Sequence, residues 1–302
     1  MSDSRVFVID ALNYIFRAYY GVPQDITTPS GMPKNAVLGY TRMLLRILKE
    51  HRPEFLIAAF ESYTSFRSDL LSSYKANRSV TPENLSPQIK YCRRMTEAMG
   101  IPTYESPGFE ADDVMGTVAM KMWSRGYPVV VVSGDKDMAQ LVREGVCVYD
   151  MANEVWLDEA GVRERYGVYP CQIPDLLALR GDAVDNIPGV EGIGPKTAQQ
   201  VLSACMSVED VAIDDAILDS VEIRYRGRVI RQILNSMEAV RLSRRLATIR
   251  CDVPLEITPD TVRYRRGNRE TLLPLCEELG LTGLLEEIPI AGNYYVMKSF
   301  EI

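Results

Sequence analysis

Three short clusters of acidic residues stand out in this 302-residue chain, and carboxylates are the main chemistry that its sequence offers. The clusters are Gly108-Phe-Glu-Ala-Asp-Asp113, Ser133-Gly-Asp-Lys-Asp137 and Gly181-Asp-Ala-Val-Asp-Asn186. Each cluster alone is compatible with helix capping or a polar turn. Two further acids follow apolar runs, and the combined set is Asp10, Glu61, Glu110, Asp112, Asp113, Asp135, Asp137, Asp182 and Asp185.

Nine carboxylates on one rim cannot all stay ionised unless cations lie between them. Ligands that are all oxygen favour hard ions, Mg²⁺ or Mn²⁺, over zinc. Two such ions about 4 Å apart hold a phosphodiester, activate water and stabilise the leaving oxygen in an in-line displacement. The sequence therefore predicts metal-dependent hydrolysis of a phosphodiester.

Other chemistries lack the residues that they need. The sequence has a single histidine, His51, so His-rich zinc sites are excluded. His51 stands at a predicted helix exit, where we expect a solvated side chain. The six cysteines form no CxxC pair and are expected to be buried thiols in a reducing compartment. Pro195 stands where a P-loop needs glycine before its lysine, and no GxGxxG follows the first apolar run. A retaining glycosidase needs two carboxylates, not nine.

The elements that must position these acids alternate along the first 150 residues. Three apolar runs that end in an acid predict strands: Arg5–Asp10, Phe55–Glu61 and Val129–Asp135. Apolar residues at a spacing of three to four predict helices over 35–50, 83–99 and 111–125. This alternation predicts an α/β fold, a parallel sheet with helices on both faces, with the acids at the carboxyl ends of the strands.

The strand pattern fades after about residue 157, and helical patterns replace it. We expect an α/β catalytic domain over 1–157, a helical DNA-binding domain over 158–290 and a tail over 291–302. Within the second range an acidic stretch, 209–222, precedes an arginine-rich stretch, 224–250. A solvated helical face is the ordinary explanation for most of these arginines.

The motifs of this chain, taken in order, match a known family. Phe109-Glu-Ala-Asp-Asp-Val, the two later acidic clusters with Asn186-Ile-Pro-Gly, and Gly192-Ile-Gly-Pro-Lys-Thr-Ala resemble the 5′-nuclease domain of bacterial DNA polymerases and flap endonucleases. The match extends from Val6 to about Leu202, and more weakly to about Ile288. The resemblance implies a PIN-like 5′-nuclease fold, a helical arch at about 66–98 and a helix-hairpin-helix-type motif at about 186–202. It also implies a structure-specific 5′-3′ DNA nuclease, with two or more Mg²⁺ or Mn²⁺ ions on the acids given above.

The same resemblance assigns roles to basic and hairpin residues. Lys75 and Arg78, with Asp112 and Asp135, are the expected catalytic residues, and we expect a helix to direct Lys75 and Arg78 the same way. The expected DNA-binding residues are Arg67, Tyr74, Lys75, Arg78, Gly192, Gly194, Lys196 and Thr197. Glycines and a helix N-terminus suit phosphate contacts that do not read sequence, and a K⁺ ion in this motif is a further expectation.

One position departs from the family pattern, and two alternatives to a DNA nuclease stay open, of which only the scaffold depends on this position. Glu61 stands where the family usually has Asp, and its extra methylene places the ligand geometry of that position in doubt. The alternatives are a catalytically weak scaffold that binds DNA junctions and an RNA-directed nuclease of a related fold.

The net charge of −7 argues at first against a nucleic-acid partner. Setting the nine candidate ligands aside turns that charge slightly positive, so the acidity belongs largely to the predicted metal site. No apolar run approaches the roughly 20 residues needed to cross a bilayer, and no signal sequence is evident. We therefore expect a cytoplasmic monomer whose partner is DNA with 5′ flaps or 5′ ends, with a DNA polymerase as a further candidate partner.

Overall fold

The computed structural model describes residues 4–62 and 64–291, and one sheet organises them. Its strands have the order β3-β2-β1-β4-β5-β6. The strands are β1 (Val6–Asp10), β2 (Phe55–Ala59), β3 (Thr103–Tyr104), β4 (Val129–Val132), β5 (Val146–Asp150) and β6 (Val155–Leu157). The first five pair in parallel, and β6 adds an antiparallel edge. The predicted parallel sheet is confirmed, with β6 as an addition.

Helices connect the strands and then continue alone. In the first half they are α1 (Ala11–Gly21), α2 (Asn35–His51), α3 (Phe66–Leu70), α4 (Ser86–Ala98) and α5 (Ala111–Trp123). The later helices are α6 (Glu159–Tyr166), α7 (Ile173–Arg180), α8 (Pro195–Ala204), α9 (Val208–Ile213), α10 (Arg226–Asn235), α11 (Met237–Ala247) and α12 (Arg269–Leu279). The three helices predicted between the strands exist, with ends shifted by up to three residues.

The side chains of the central strands point alternately to the two faces of the sheet, and each face packs in its own core. Val6 and Val8 of β1 pack in the core that includes α5, α7 and α11. Phe7 and Ile9 pack in the other core, with α1, α2, α4 and α12. Fully buried strands of this kind require helices on both faces, and they fix the strand ends rigidly.

The segment predicted as a helical arch has a mixed structure. α3 and α4 lie at its ends, and a series of turns with no helix lies between them. Lys75 has a left-handed backbone, with φ of 55°. The expectation that a helix directs Lys75 and Arg78 is therefore wrong, because a residue with that φ cannot lie inside a right-handed helix.

Two expectations about single residues also need correction. His51 is half-buried and stacks on Phe7, with the ring edges of Tyr149 and Trp156 nearby, so it is not a solvated side chain. Burial lowers the pKa of its imidazole. All six cysteines are free thiols, but Cys171 is exposed, so only some of them are buried as expected.

Apart from its first residue, the predicted tail lies outside the described residues. Among the helices that the structure describes, none is long and apolar enough to cross a membrane.

Candidate active site

The acidic site lies at the carboxyl ends of neighbouring strands. Asp10 is the last residue of β1 and is 6% exposed. Its carboxylate accepts hydrogen bonds from the backbone N–H of Asn13 at 3.1 Å and from the hydroxyl of Ser133, which follows β4, at 2.8 Å. Asp135 follows the same strand and caps a short 3₁₀ helix through the N–H of Asp137 at 2.9 Å. The pairing of β1 with β4 thus brings two of the acidic motifs together.

Five acids form what we call the first acid group: Asp10, Glu61, Glu110, Asp112 and Asp135. Burial raises the pKa of Asp10 to about 6, and Asp135 adds to that rise. Burial also raises the pKa of Asp112 well above its usual range, with repulsion from Asp135 and Asp10 acting in the same direction. Carboxylates that are buried together in this way favour binding a cation.

Glu61, the departure from the family pattern, belongs to the same group. Its Oε2 accepts a hydrogen bond at 3.3 Å from the backbone N–H of Ala111, the first residue of α5. Burial, followed by repulsion from Glu110, raises the pKa of Glu61 to about 7. The longer side chain therefore still reaches the acids at the start of α5.

Three more acids form a second acid group: Asp137, Asp182 and Asp185. One carboxylate oxygen from each lies within 4.8 Å of the other two, and all three side chains are buried. Oδ1 of Asp137 is buried without a hydrogen-bond partner among the described residues. Burial and then repulsion from Asp135 raise the pKa of Asp137 to about 7, so Asp135 couples the two acid groups. An oxygen-only cluster with a buried oxygen that accepts no hydrogen bond fits a divalent cation.

Asp113 does not share this arrangement, and its predicted role as a metal ligand needs correction. Its side chain is 0% exposed. Both of its carboxylate oxygens bind the guanidinium of Arg67, at 2.7 and 2.8 Å. The backbone N–H groups of Glu110 and Arg250 also donate to Asp113, at 3.1 and 2.8 Å. Four donors already saturate this carboxylate, so it has no free oxygen for a metal.

Arg67 needs the matching correction, since we expected it to bind DNA. It is 2% exposed, so DNA cannot reach it in this conformation. Beyond Asp113, its guanidinium donates to the carbonyl oxygens of Leu246 at 2.7 Å and Thr248 at 2.8 Å. Arg67 therefore ties the start of the 66–98 segment to α5 and to the end of α11.

Three further residues of this segment, Tyr74, Lys75 and Arg78, contact the acids. The ammonium of Lys75 lies 2.8 Å from Oε2 of Glu110, and the guanidinium of Arg78 lies 2.5 Å from Oδ1 of Asp185. The predicted DNA contact of Tyr74 is not available here, because the side chain is 7% exposed and its hydroxyl donates to Glu110 at 3.2 Å. Lys75 and Arg78 thus lie beside the candidate metal ligands, but turns rather than a helix position them there.

Two residues that the sequence did not single out complete the site. The ammonium of Lys136 lies 2.8 Å from Oδ2 of Asp182, so it partly neutralises the second acid group. The side-chain amide of Asn77 donates to the carbonyl of Ala183 at 2.5 Å and links the turns around Lys75 to the loop of the second acid group. Lys136 stands between Asp135 and Asp137 in the sequence, and this position could have identified it as part of the site. Nothing in the sequence around Asn77 indicated its role.

The predicted hairpin follows directly after the loop of the second acid group, where Ile187 pairs with Asp182. Gly192 has a φ of 78°, which favours glycine, and the exposed Gly194 directly precedes α8. Lys196, in the first turn of α8, is exposed, and Thr197 is half-buried. The start of a ten-residue helix, with a cation in its first turn, has the features that suit a phosphate contact, and the predicted role of this hairpin stays a prediction.

The raised pKa values predict how the metal-free protein responds to pH. Asp10, Glu61 and Asp137 keep their protons to about pH 6–7 when folded but lose them near pH 4 when unfolded. The folded state then binds more protons, so these groups make the free energy of unfolding fall as pH rises from about 5 to about 8. His51 acts in the opposite direction, because its pKa is lowered.

Thermal unfolding in EDTA tests this expectation by comparing the wild type with Asp137→Asn. The Asp137→Asn protein should gain stability relative to the wild type as pH rises from 5 to 8. Mg²⁺ added to the wild type at pH 8 should raise the melting temperature. A constant difference between the two proteins across this range would contradict the raised pKa of Asp137.

Two family models match the chain in succession. The N-terminal resolvase-like domain of 5′-3′ exonucleases matches residues 5–167, and their C-terminal SAM fold matches residues 168–270. The 5′-3′ exonuclease of Aquifex aeolicus is 34% identical over 94% of this chain and 94% of its own length. DNA polymerase I of Bacillus caldotenax is 38% identical over 94% of this chain and 32% of its own length. The chain therefore spans about a third of that polymerase.

Solved structures show the same fold at lower sequence identity. The T5 5′-exonuclease with bound zinc has a TM-score of 0.68 at 20% identity, over 91% of this chain and 99% of that chain. The catalytic core of Rad2 in complex with DNA has a TM-score of 0.60 at 14% identity, over 95% of this chain and 92% of that chain.

Proposed function

This chain belongs to the 5′-3′ exonuclease family, and from that premise we propose that it is a structure-specific DNA nuclease acting at 5′ flaps and 5′ ends. The observation that carries the proposal is the meeting of two acid groups beyond the carboxyl ends of the strands, where Asp135 accepts from the N–H of Asp137 and Lys75 lies between Glu110 and Asp185. We propose a catalytic domain over 1–157 and a DNA-binding domain over 158–290. The six free thiols support a reducing cytoplasm as its compartment.

The residues that would hold divalent ions are those of the two acid groups: Asp10, Glu61, Glu110, Asp112 and Asp135 for the first, and Asp137, Asp182 and Asp185 for the second. Asp113 is left out, because Arg67 and backbone N–H groups saturate it. The chemistry that Mg²⁺ or Mn²⁺ supplies at such a site is activation of water and stabilisation of the leaving oxygen.

The chain itself supplies positive charge for the phosphate. Lys75 and Arg78 lie against Glu110 and Asp185, at the border of the two acid groups. When a DNA phosphate enters, these side chains can exchange a carboxylate for phosphate oxygens and stabilise the charge that develops there. Asn77 supports this by holding the turns that carry Lys75 and Arg78 against the loop of Asp185.

A cleavage assay tests the proposed function. Duplex DNA with a 5′ single-stranded flap and a matched RNA are incubated with the protein and Mg²⁺ or Mn²⁺, and the product ends are mapped. We expect DNA to be cut near the junction, leaving a 5′-phosphate. Stable binding of DNA without turnover would favour the scaffold alternative, and preferential cutting of RNA would favour the RNA-directed nuclease.

Lys196→Ala tests the hairpin as the duplex-binding surface. Removing one phosphate contact should weaken binding of duplex DNA and lower the slope of log affinity against log salt by about 1. Fluorescence anisotropy in EDTA, at several salt concentrations, measures both. Lys49→Ala, an exposed lysine on α2, is the matched control. An unchanged slope for Lys196→Ala would remove this residue from the phosphate contacts.

Lys136→Met tests whether Lys136 competes with a metal at the second acid group. The ammonium contacts Asp182, so a divalent ion must displace it or tolerate its repulsion. We expect Lys136→Met to bind Mn²⁺ about tenfold more tightly in calorimetry or in Mn²⁺ electron paramagnetic resonance. Lys136→Arg keeps the charge and should bind Mn²⁺ as the wild type does. Equal or weaker binding by Lys136→Met would contradict the competition.

A further inference from the structure

A second basic surface lies outside the acid groups and the hairpin. It is a cleft of about 270 Å³, and Phe66 and Glu209 form part of its lining. Four arginines also line it: Arg241, Arg244, Arg245 and Arg250. We call it the arginine cleft. It lies where the start of α3 meets α9, α11 and the segment after α11. None of the roles proposed above uses it.

Three of the four arginines are held in place by carboxylates. Arg241 forms two hydrogen bonds of 2.8 Å to Glu209, and Arg250 binds Asp252 at 2.7 and 2.6 Å. Arg244 lies 2.7 Å from Asp175, which is 1% exposed. These pairs fix the positions of the guanidinium groups, while 42–58% of each of the three side chains stays exposed.

Arg245 differs from the other three. It is exposed, and none of the carboxylates in the described part of the chain pairs with it. Four guanidinium groups therefore face three carboxylates around the cleft, which leaves one positive charge without a counterion. Fixed guanidinium forks with spare N–H donors are suited to bind phosphate oxygens in pairs.

The wall and the position of the cleft favour a phosphate that belongs to nucleic acid. Phe66 contributes an aromatic ring, and Arg67 and Arg250 lie over it with ring distances of 4.6 and 5.8 Å. Through Arg67 and the N–H of Arg250 the same region is joined to Asp113, which is next to Asp112 of the first acid group. The cleft therefore adjoins the start of α5, the helix that carries Asp112.

We propose that the arginine cleft binds a backbone phosphate of the DNA substrate, on the single-stranded side of the junction. The single strand is favoured because its flexible backbone can follow a narrow, positively charged cleft, which the stiffer backbone of a duplex cannot enter as readily. This inference rests on the proposed function, since it assumes that DNA with a single-stranded 5′ segment is the substrate.

Charge reversal of Arg245 tests the cleft. Two DNAs with the same duplex, one blunt and one with a 5′ single-stranded flap, are titrated by anisotropy in EDTA against the wild type and Arg245→Glu. We expect Arg245→Glu to bind the flapped DNA about tenfold more weakly and with a salt slope lower by about 1, while binding of blunt DNA is unchanged. Arg42→Glu, an exposed arginine on α2, controls for the general effect of added negative charge. Arg245→Gln provides a milder variant if Arg245→Glu does not fold.

Each result gives a decision. An equal loss on both DNAs, beyond that of Arg42→Glu, supports the phosphate site but assigns it to the duplex. If Arg245→Glu binds both DNAs with the same affinities as Arg42→Glu, phosphate binding by the arginine cleft is refuted. Cleavage of the flapped DNA by the wild type would then show that the proposed function survives. A wild type that neither binds nor cuts flapped DNA would overturn the proposed function and the cleft with it.

Discussion

Asp112→Asn is expected to lower the rate of DNA cleavage by about three orders of magnitude or more, while binding of flapped DNA persists. Burial raises the pKa of Asp112, and repulsion from Asp135 and Asp10 adds to the rise, as expected for a carboxylate placed to share a cation. Asparagine keeps the shape of the side chain but removes the negative oxygen that a divalent ion needs. Single-turnover cleavage with Mg²⁺, alongside binding in EDTA, measures the two effects separately.

The stability of the metal-free Asp112→Asn protein distinguishes a catalytic role from a structural one. Burial and repulsion from Asp135 and Asp10 raise the pKa of Asp112, so the negative charge of this group opposes folding of the metal-free protein. Replacement by the neutral amide should therefore leave the melting temperature in EDTA unchanged or slightly higher. Asp69→Asn, an exposed acid on α3, is the matched control and should cut DNA normally. Loss of folding and binding together in Asp112→Asn would show that this acid is structural.

Arg67→Ala is expected to cost about 3–5 kcal/mol of unfolding free energy, the range for removing one partner of a buried ion pair. The substitution leaves the carboxylate of Asp113 fully buried without its cation. It also removes the donors that bind the carbonyls of Leu246 and Thr248. Chemical denaturation in the absence of DNA and metal measures the loss.

A double-mutant cycle and one control test this interpretation. Asp113→Asn in the Arg67→Ala background should cost less than it does alone, because the two residues form one interaction. Arg94→Ala removes an arginine from an exposed ion pair with Glu278 and should cost no more than about 1 kcal/mol. A loss of DNA binding by Arg67→Ala with unchanged stability would instead support the prediction from the sequence that Arg67 contacts DNA.

The sequence alone determined the fold class and the position of most acids, for a local reason. Strands such as Val129–Val132 are apolar throughout, which is expected only where a sheet is covered on both faces. Residues that follow parallel strands must then meet at one edge. The residue order by itself therefore assigns Asp10 and Asp135 to one site.

The tertiary structure alone decided what each side chain at that edge does. Asp112 and Asp113 are neighbours in sequence, but a helix turns by about 100° per residue, so one joins the acids and the other faces Arg67. The partner of Asp113 lies 46 residues away in the chain, and spacing along a sequence does not encode such a contact. Lys75, in a turn, and Lys136, in the 3₁₀ helix after β4, were likewise paired with acids by tertiary packing. Residue types and strand order thus predicted where charge gathers, whereas only packing decided which charges are saturated and which remain free to bind.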